Sequence, residues 1–358
     1  MQPTGPVLVT GAFGLVGGTV VRQLVDLGVE VVATDLDISA NREAATALGN
    51  QVEVRWADLT QPDQIDRLFH DVSPCAIVHL AAVIPPHCYA RPKLARAVNV
   101  DATAHLVRCA EAQLSRPRFV LASSIAVYGA RNPHHTDGLL TTATPLRPSD
   151  VYGAHKAEAE AIVRSSGLDW LILRLGGVLP VEPSLRAVDL DTVFFEASLP
   201  ADGRVQVIDV RDVARAFCSA ISVGASREIF LIAGDDSTRI RQGDIAGAIT
   251  GAVGLVDATP RGRPGNPSSD HGWFTTDWMD TSHSQKVLDF QRNSFPDTLA
   301  YIRSGVGGKR WLMRAVSPLA RVILRRKSPY FRRTGTYAEP WDVIRSKWGA
   351  PDPDTGAR

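Results

Sequence analysis

No Cys-x-x-Cys pair occurs among the four cysteines, Cys75, Cys88, Cys109 and Cys218, and no His/Cys spacing of the zinc-binding kind accompanies them. A metal-stabilised fold and a metal site are therefore not expected. Cys75 and Cys109 sit in apolar contexts that fit free thiols, so a reducing, cytoplasmic compartment is expected. There is no apolar run of about 18 residues, which excludes a membrane-spanning helix. The start of the sequence has no basic segment before its apolar run, so no secretory signal is expected. A Gly-x-x-x-x-Gly-Lys-Ser/Thr loop is absent, which argues against an ATPase. Basic excess is also missing: Lys+Arg number 39 and Asp+Glu 38, a net charge of +1 that does not suit a dedicated nucleic-acid binder. No internal repeat or long low-complexity tract is visible.

What is present is enough apolar residue for a sizeable core: 44% hydrophobic and 22% charged across 358 residues. Short apolar runs alternate with helical patterns through residue 175. Strands are expected at Val7–Thr10, Val29–Thr34, Val52–Trp56, Ala76–Leu80, Phe119–Ala122 and Trp170–Leu175. Helices are expected at Leu15–Leu27, Gln61–Asp71, Leu94–Gln113 and Tyr152–Ser165. Continuous apolar strands separated by helices predict an α/β fold, a doubly wound parallel sheet covered on both faces. Beyond Arg174 the alternation weakens. Val205–Ile208, a helix over Val213–Val223 and Glu228–Ile232 read as a return to that core. The expected organisation is thus a dinucleotide-binding core over 1–175, completed by about 203–233. A smaller substrate-binding region is expected over 176–202 and 234–305, followed by a tail over 306–358.

The first strand runs into Thr10-Gly11-Ala12-Phe13-Gly14-Leu15-Val16-Gly17 and then into a helix. In that context Gly11 permits a tight turn, Gly14 lets backbone approach a pyrophosphate, and Gly17 allows close helix–sheet packing. Phe13 and Leu15 belong to the same turn. The helix start adds free N–H groups and partial positive charge. Asp35, at the end of the second strand, lies at the offset of an acid that binds adenosine ribose hydroxyls and repels a 2′-phosphate, so NAD is expected over NADP. Asp58 and Leu59 lie just past the third strand, at the carboxyl edge where ligands of such sheets bind.

Tyr152 and Lys156 stand four apart on a helix and so share a face. A free phenol ionises near pH ~10, and a neighbouring ammonium and an oxidised nicotinamide would both favour phenolate, giving a base that can move a hydroxyl proton. The glycine turn and Tyr152-Gly153-Ala154-His155-Lys156 together resemble the short-chain dehydrogenase/reductase superfamily. The likeness is closest to its extended branch, that of NAD-dependent epimerases, dehydratases and 3β-hydroxysteroid dehydrogenases. Ala57-Asp58-Leu59, His79-Leu80-Ala81-Ala82, Asn99-Val100, Ser123-Ser124-Ile125-Ala126-Val127-Tyr128-Gly129 and Val210-Arg211-Asp212-Val213-Ala214 extend the likeness, in order, over roughly 300 residues. The resemblance implies a Rossmann-like fold and a cofactor cleft that includes Leu80, Ala81 and Ala82. It also implies that Lys156 holds the nicotinamide ribose and that Ser124 hydrogen-bonds the reacting oxygen. Asn99 would support a proton relay, or be a satisfied buried amide. A homodimer through Leu94–Gln113 and Tyr152–Ser165 is implied as well.

Two departures bear on the reaction. Sugar-nucleotide dehydratases of this type carry Asp-Glu where Ile125-Ala126 stand here. Sugar-nucleotide enzymes usually have an asparagine shortly after the strand-end arginine, whereas Arg174 is followed by Leu175-Gly176-Gly177. The expectation is therefore redox between a secondary hydroxyl and a ketone on an apolar or sugar-like small molecule, with sugar-nucleotide epimerisation as the alternative. Phe194, Phe195, Trp273, Phe274 and Trp278 are candidates to line an apolar pocket or simply to fill core. His134 and His135 fit a solvated loop, and His79 the end of a strand.

The tail has its own pattern. Lys309–Arg333 holds nine basic residues and no acid. Arg310, Arg314, Arg321 and Arg325 share one helical face, and Leu312, Val316, Leu319 and Ile323 another, with Trp311 at the boundary and Pro318 as an interruption. This predicts either a helix docked on the acidic body of the protein or of a subunit partner, or peripheral contact with anionic lipid on the inner membrane face.

Overall fold

The computed structural model describes residues 4–182, 190–260 and 262–353. A seven-stranded parallel sheet forms its centre, in the order β3-β2-β1-β4-β5-β6-β9. The strands are β1 (Val7–Thr10), β2 (Val31–Asp35), β3 (Glu53–Trp56), β4 (Ala76–His79), β5 (Arg118–Ser124), β6 (Trp170–Leu175) and β9 (Glu228–Ile232). Their side chains alternate between two cores, as the strand period of two requires. Val7, Val9, Val31, Ala33, Val78, Val120, Leu171 and Leu173 face one side, packing against helices Leu15–Asp26 and Val210–Ser222. Leu8, Val32, Ile77, Phe119, Leu121 and Ile172 face the other, under helices Pro62–Asp71, Ala102–Ala112 and Val151–Ser165. Each such fully buried aliphatic side chain stabilises the fold by roughly 1.5–3 kcal/mol relative to exposure. Because both faces are covered, the strands read as unbroken apolar runs rather than alternating ones.

A second sheet has three strands, in the order β10-β8-β7: β7 (Gly177–Leu179), β8 (Arg204–Asp209) and β10 (Arg239–Arg241). The expected return of Val205–Ile208 to the main sheet is thereby corrected. β8 pairs parallel with β7 and antiparallel with β10. Only the helix Val210–Ser222 and β9 complete the large sheet. Residues 183–189 and 354–358, within the expected substrate region and tail, lie outside the described residues.

Two helices also differ from expectation. Ser39–Leu48 is helical but buries no residue, so it left no apolar periodicity to read. The single helix expected over Leu94–Gln113 is divided: Pro92–Arg96, a π turn at Ala97–Asp101, then Ala102–Ala112. The tail helix Arg310–Lys327 continues through Pro318, and a last helix spans Pro340–Trp348.

Candidate active site

The strand order reverses between β1 and β4, so the chain leaves their carboxyl ends in opposite directions and opens a crevice there. The glycine turn lies on this edge. Gly11 has φ +66°, and a Cβ there would fall 2.7 Å from the Ala81 nitrogen; at Gly17 it would fall 2.0 Å from the Gly11 carbonyl oxygen. Both glycines are thus required by the protein's own backbone. Gly14 is different: a Cβ would meet only the Gly11 oxygen, at 3.4 Å, and its φ is an ordinary −71°. What Gly14 leaves open is the space over the start of helix Leu15–Asp26. No side chain caps that start, and no acid sits in its first turn. Uncapped N–H groups beside a cleared approach fit a pyrophosphate. Gly14→Ala should leave the unfolding midpoint unchanged and weaken NAD binding about tenfold or more, measured by calorimetric titration.

Asp35 ends β2 with its carboxylate fixed. Oδ2 accepts from the Phe13 N–H at 3.0 Å and Oδ1 from the Leu36 N–H at 2.8 Å. The Phe13 ring lies 5.4 Å from that of Trp56, at the end of β3. Asp58 is held by a local turn, Oδ1 accepting from the Thr60 N–H at 2.9 Å and hydroxyl at 2.7 Å, and Leu59 is buried beside it. Leu80 donates its N–H to the Thr10 carbonyl, so Leu80, Ala81 and Ala82 follow the far wall of the crevice. The glycine turn, Asp35, Asp58–Leu59 and Leu80–Ala82 thus all lie along one edge of the sheet.

A buried polar chain, not foreseen as a unit, locks that edge. Thr103 Oγ1 donates to the Asn99 carbonyl (2.9 Å), so it must accept from His79 Nε2 (2.9 Å), which leaves His79 Nδ1 to accept from the Thr10 hydroxyl (2.7 Å). Burial lowers the His79 pKa to about 3, so the ring is neutral, as this pattern needs. Asn99 is 1% exposed, and its amide bridges to the loop after β4: Oδ1 accepts from the Val83 N–H at 2.8 Å, and Nδ2 donates to the Val83 carbonyl at 2.9 Å. From within the π turn Asn99 thus holds the strand-end loop in place, keeping one amide N–H and one oxygen lone pair beyond these two bonds.

Ser124, Tyr152 and Lys156 converge on the same edge. Ser124 is the last residue of β5, two strands across from β1, or about 10 Å at the usual strand spacing. Its hydroxyl hydrogen-bonds the Tyr152 phenol, whereas neighbouring Ser123 points into the core and donates to Glu160 at 2.6 Å. Asp150 caps the Tyr152 helix, accepting from the Gly153 N–H at 2.9 Å. Asp150 also accepts from the Tyr89 hydroxyl at 2.6 Å, and burial still raises it to about 6. Lys156 Nζ donates to the Ala122 carbonyl at 2.8 Å and lies 5.9 Å from the Tyr152 ring centroid.

Burial pushes the Tyr152 phenol upward, Cys88 and Asp150 add to this, and only the Ser124 hydroxyl opposes it. Lys156 itself is drawn down to about 8 by burial, against the carboxylate of Glu160.

Phe194, Phe195 and Phe274, expected as pocket lining or core, do join one apolar cluster with Tyr152, but sequence reasoning missed what the last helix adds to it. Tyr152 packs on an apolar cluster with Val83, Phe194, Phe274 and Trp341, around Cys88, Tyr89, Phe195, Ile344 and Trp348. The last helix supplies Trp341, 5.5 Å from the Phe274 ring, and the Pro351 carbonyl accepts from the Val151 N–H beside Tyr152 at 2.8 Å. Only tryptophan and proline spacing near the end of the sequence could have hinted at this. Trp273, by contrast, is buried core, with Nε1 bonded to the Asn266 carbonyl. Trp278 stacks between Arg204 and Arg241.

Away from the crevice, Asp66, His105 and Cys109 lie together on two surface helices. Arg108 can only donate to His105 Nδ1, so Nε2 carries the proton and donates to Asp66, an arrangement complete without a metal. His135 pairs with Asp270 in a half-exposed loop.

Comparison with known proteins bears on the matched half. The chain is 31% identical over 196 residues to D-erythronate dehydrogenase of Cupriavidus necator, covering 51% of this chain and 58% of that protein. It is 32% identical over 194 residues to UDP-glucose 4-epimerase of Azospirillum brasilense, covering 50% and 51%. The chain thus spans little more than half the length of these curated relatives. In fold it matches the UDP-glucose 4-epimerase of Thermus thermophilus in complex with NAD, with TM-score 0.68 and 22% identity, over 85% of this chain and 99% of that one. Residues 7–179 match the model of the NAD dependent epimerase/dehydratase family. This segment, a little under half of the chain, carries the glycine turn, the fixed Asp35 and the Tyr152/Lys156 helix, and it is the segment that matches the NAD-dependent epimerase/dehydratase family of the extended short-chain dehydrogenase/reductase superfamily.

Proposed function

We propose that this protein is an NAD-dependent oxidoreductase that interconverts a secondary hydroxyl and a ketone on a small molecule with an apolar body. The observation that carries the choice is that Tyr152 packs against an apolar cluster built of Cys88, Tyr89, Val151, Phe195, Ile344 and Trp348, a cluster that Phe194, Phe274 and Trp341 also join. Arg174, the arginine nearest in sequence to a sugar-nucleotide signature, is 1% exposed and fully engaged. Its Nε and Nη2 donate to Glu160, and its Nη1 donates to the Tyr128 hydroxyl. Buried and paired in this way, it does not reach out to a substrate diphosphate.

When bound, NAD supplies the hydride acceptor or donor. The free first-turn N–H groups behind Gly14 hold its pyrophosphate, with Gly11, Phe13, Leu15 and Gly17 shaping the turn. Asp35 takes the adenosine ribose hydroxyls and disfavours a 2′-phosphate. Asp58, Leu59 and Leu80–Ala82 line the cleft. Lys156 holds the nicotinamide ribose and favours Tyr152 phenolate. Tyr152 moves the substrate's hydroxyl proton, and Ser124 hydrogen-bonds the reacting oxygen. Within this reading, residues 7–175 with 210–232 bind the cofactor, and β7, β8, residues 234–305 and the last helix enclose the substrate.

The second reading is epimerisation with a retained cofactor, which the Azospirillum relative favours. Incubation with NAD and a panel of secondary alcohols distinguishes the two. Net NADH absorbance is expected with at least one apolar alcohol. No NADH with any alcohol, together with interconversion of a sugar nucleotide, would overturn the oxidoreductase reading.

A further inference from the structure

The helix Arg310–Lys327 rests on the protein by one narrow edge. Arg310 donates to the Gly251 and Ala252 carbonyls, Ser317 to the Val256 carbonyl at 2.6 Å, and Arg321 to the Asp257 carbonyl at 2.9 Å. These residues, with Met313, Ala320 and Leu324, form one face at the helical step of about 100° per residue. The opposite face carries Trp311, Leu312, Val316, Leu319, Val322 and Ile323, and every one of them is exposed, Trp311 at 68% and Leu319 at 63%. A docked helix ordinarily turns this stripe inward; here it points away from the body. Arg314 and Arg325 border the stripe on one side, Lys327 on the other, and Arg326 lies within it; none of the four makes an ion pair among the described residues.

The helix is not waiting to fold back. Past its end the chain is pinned to the body: the Tyr330 hydroxyl donates to the Ser198 carbonyl at 2.6 Å, and Arg263 donates to the Arg333 carbonyl at 2.6 Å. Nor does a second copy suit the stripe. Two apposed faces would bring together segments that each hold nine basic residues and no acid. An apolar sector with an aromatic, bordered only by cations, is complementary to a surface that is apolar beneath and negative on top.

We infer that the Arg310–Lys327 helix is an interfacial anchor that lays its Trp311–Ile323 face into an anionic bilayer. No helix among the described residues is long and apolar enough to cross a membrane, so the contact is peripheral. The same tail segment continues into the last helix, whose Trp341, Ile344 and Trp348 share the apolar cluster that Tyr152 packs against.

The test uses the full chain and two sets of vesicles, phosphatidylcholine alone and with about 30 mol % phosphatidylglycerol. The protein should co-sediment with the anionic vesicles and not with the neutral ones, and Trp311 emission should shift to the blue, a shift lost in Trp311→Phe. Arg314→Glu with Arg325→Glu, and separately Leu319→Asp with Val322→Asp, should each weaken binding about tenfold or more. Unfolding midpoints should hold, since all four side chains are exposed. Three results would overturn the inference. One is equal pelleting of the native chain and both variants. Another is binding to heparin without any vesicle-induced Trp311 shift, which would mark a polyanion site. The third is a dimer that Leu319→Asp converts to monomer, which would make a second copy the occupant.

Discussion

Tyr152→Phe should lower turnover by about three orders of magnitude, within the range a positioned proton-transfer group supplies, while NAD affinity stays within about twofold. The substitution removes one oxygen and keeps the ring. Packing against the Cys88, Tyr89, Phe195 and Trp348 cluster is therefore preserved, and only the proton-carrying oxygen beside Ser124 is lost. Calorimetric titration with NAD, next to steady-state rates on the alcohol found active, separates binding from chemistry. A variant that turns over normally would remove Tyr152 from the role of base. The structure sharpens what that role requires. Burial holds the phenol above its ordinary pKa, so the phenolate forms only where positive charge gathers at the site, and Lys156 is the cation the chain itself provides.

The second large effect is expected one helical turn further on. Glu160→Ala should destabilise the fold by roughly 3–5 kcal/mol, read as a fall in the denaturation midpoint, because it strands a buried guanidinium. Glu160 and Arg174 are 1% and 2% exposed at their side chains, and Glu160 also accepts from Ser123 at the end of β5. Glu160→Gln should cost less, since it keeps the shape and some of the hydrogen bonds. It also carries a pH signature. The Glu160 carboxylate raises the Lys156 pKa against burial, so its removal must move that pKa below about 8. The alkaline limb of activity that depends on the Lys156 ammonium should shift to lower pH in Glu160→Gln. Stability has a related sign. Lys156 binds its proton less well folded than unfolded, so between about 8 and its unfolded value the unfolded chain holds more protons, and stability rises with pH there. An unmoved limb in Glu160→Gln would mean that Glu160 acts on the fold alone.

Much of the dinucleotide half was legible because its signals are local. A strand of four apolar residues, a turn whose glycines are forced by backbone approach, and a Tyr/Lys pair one helical turn apart are each specified by residues close in sequence. The helix Ser39–Leu48 escaped for the same reason in reverse, since it buries nothing and so shows no period.

What the order of residues determined by itself was the parallel sheet, the crevice and the shared face of Tyr152 and Lys156, because helical and strand periods convert spacing directly into shared faces; the place of Ser124 beside them was implied by the family resemblance. Tertiary structure alone decided the rest. It tied the Asn99 amide to Val83, sent residues 204–209 into a second sheet, brought Trp341 into the apolar cluster that Tyr152 packs against, and turned the tail's apolar face outward. It also set the burial that pushes the Tyr152 phenol upward, because desolvation depends on every atom that surrounds a group, most of them far away along the chain.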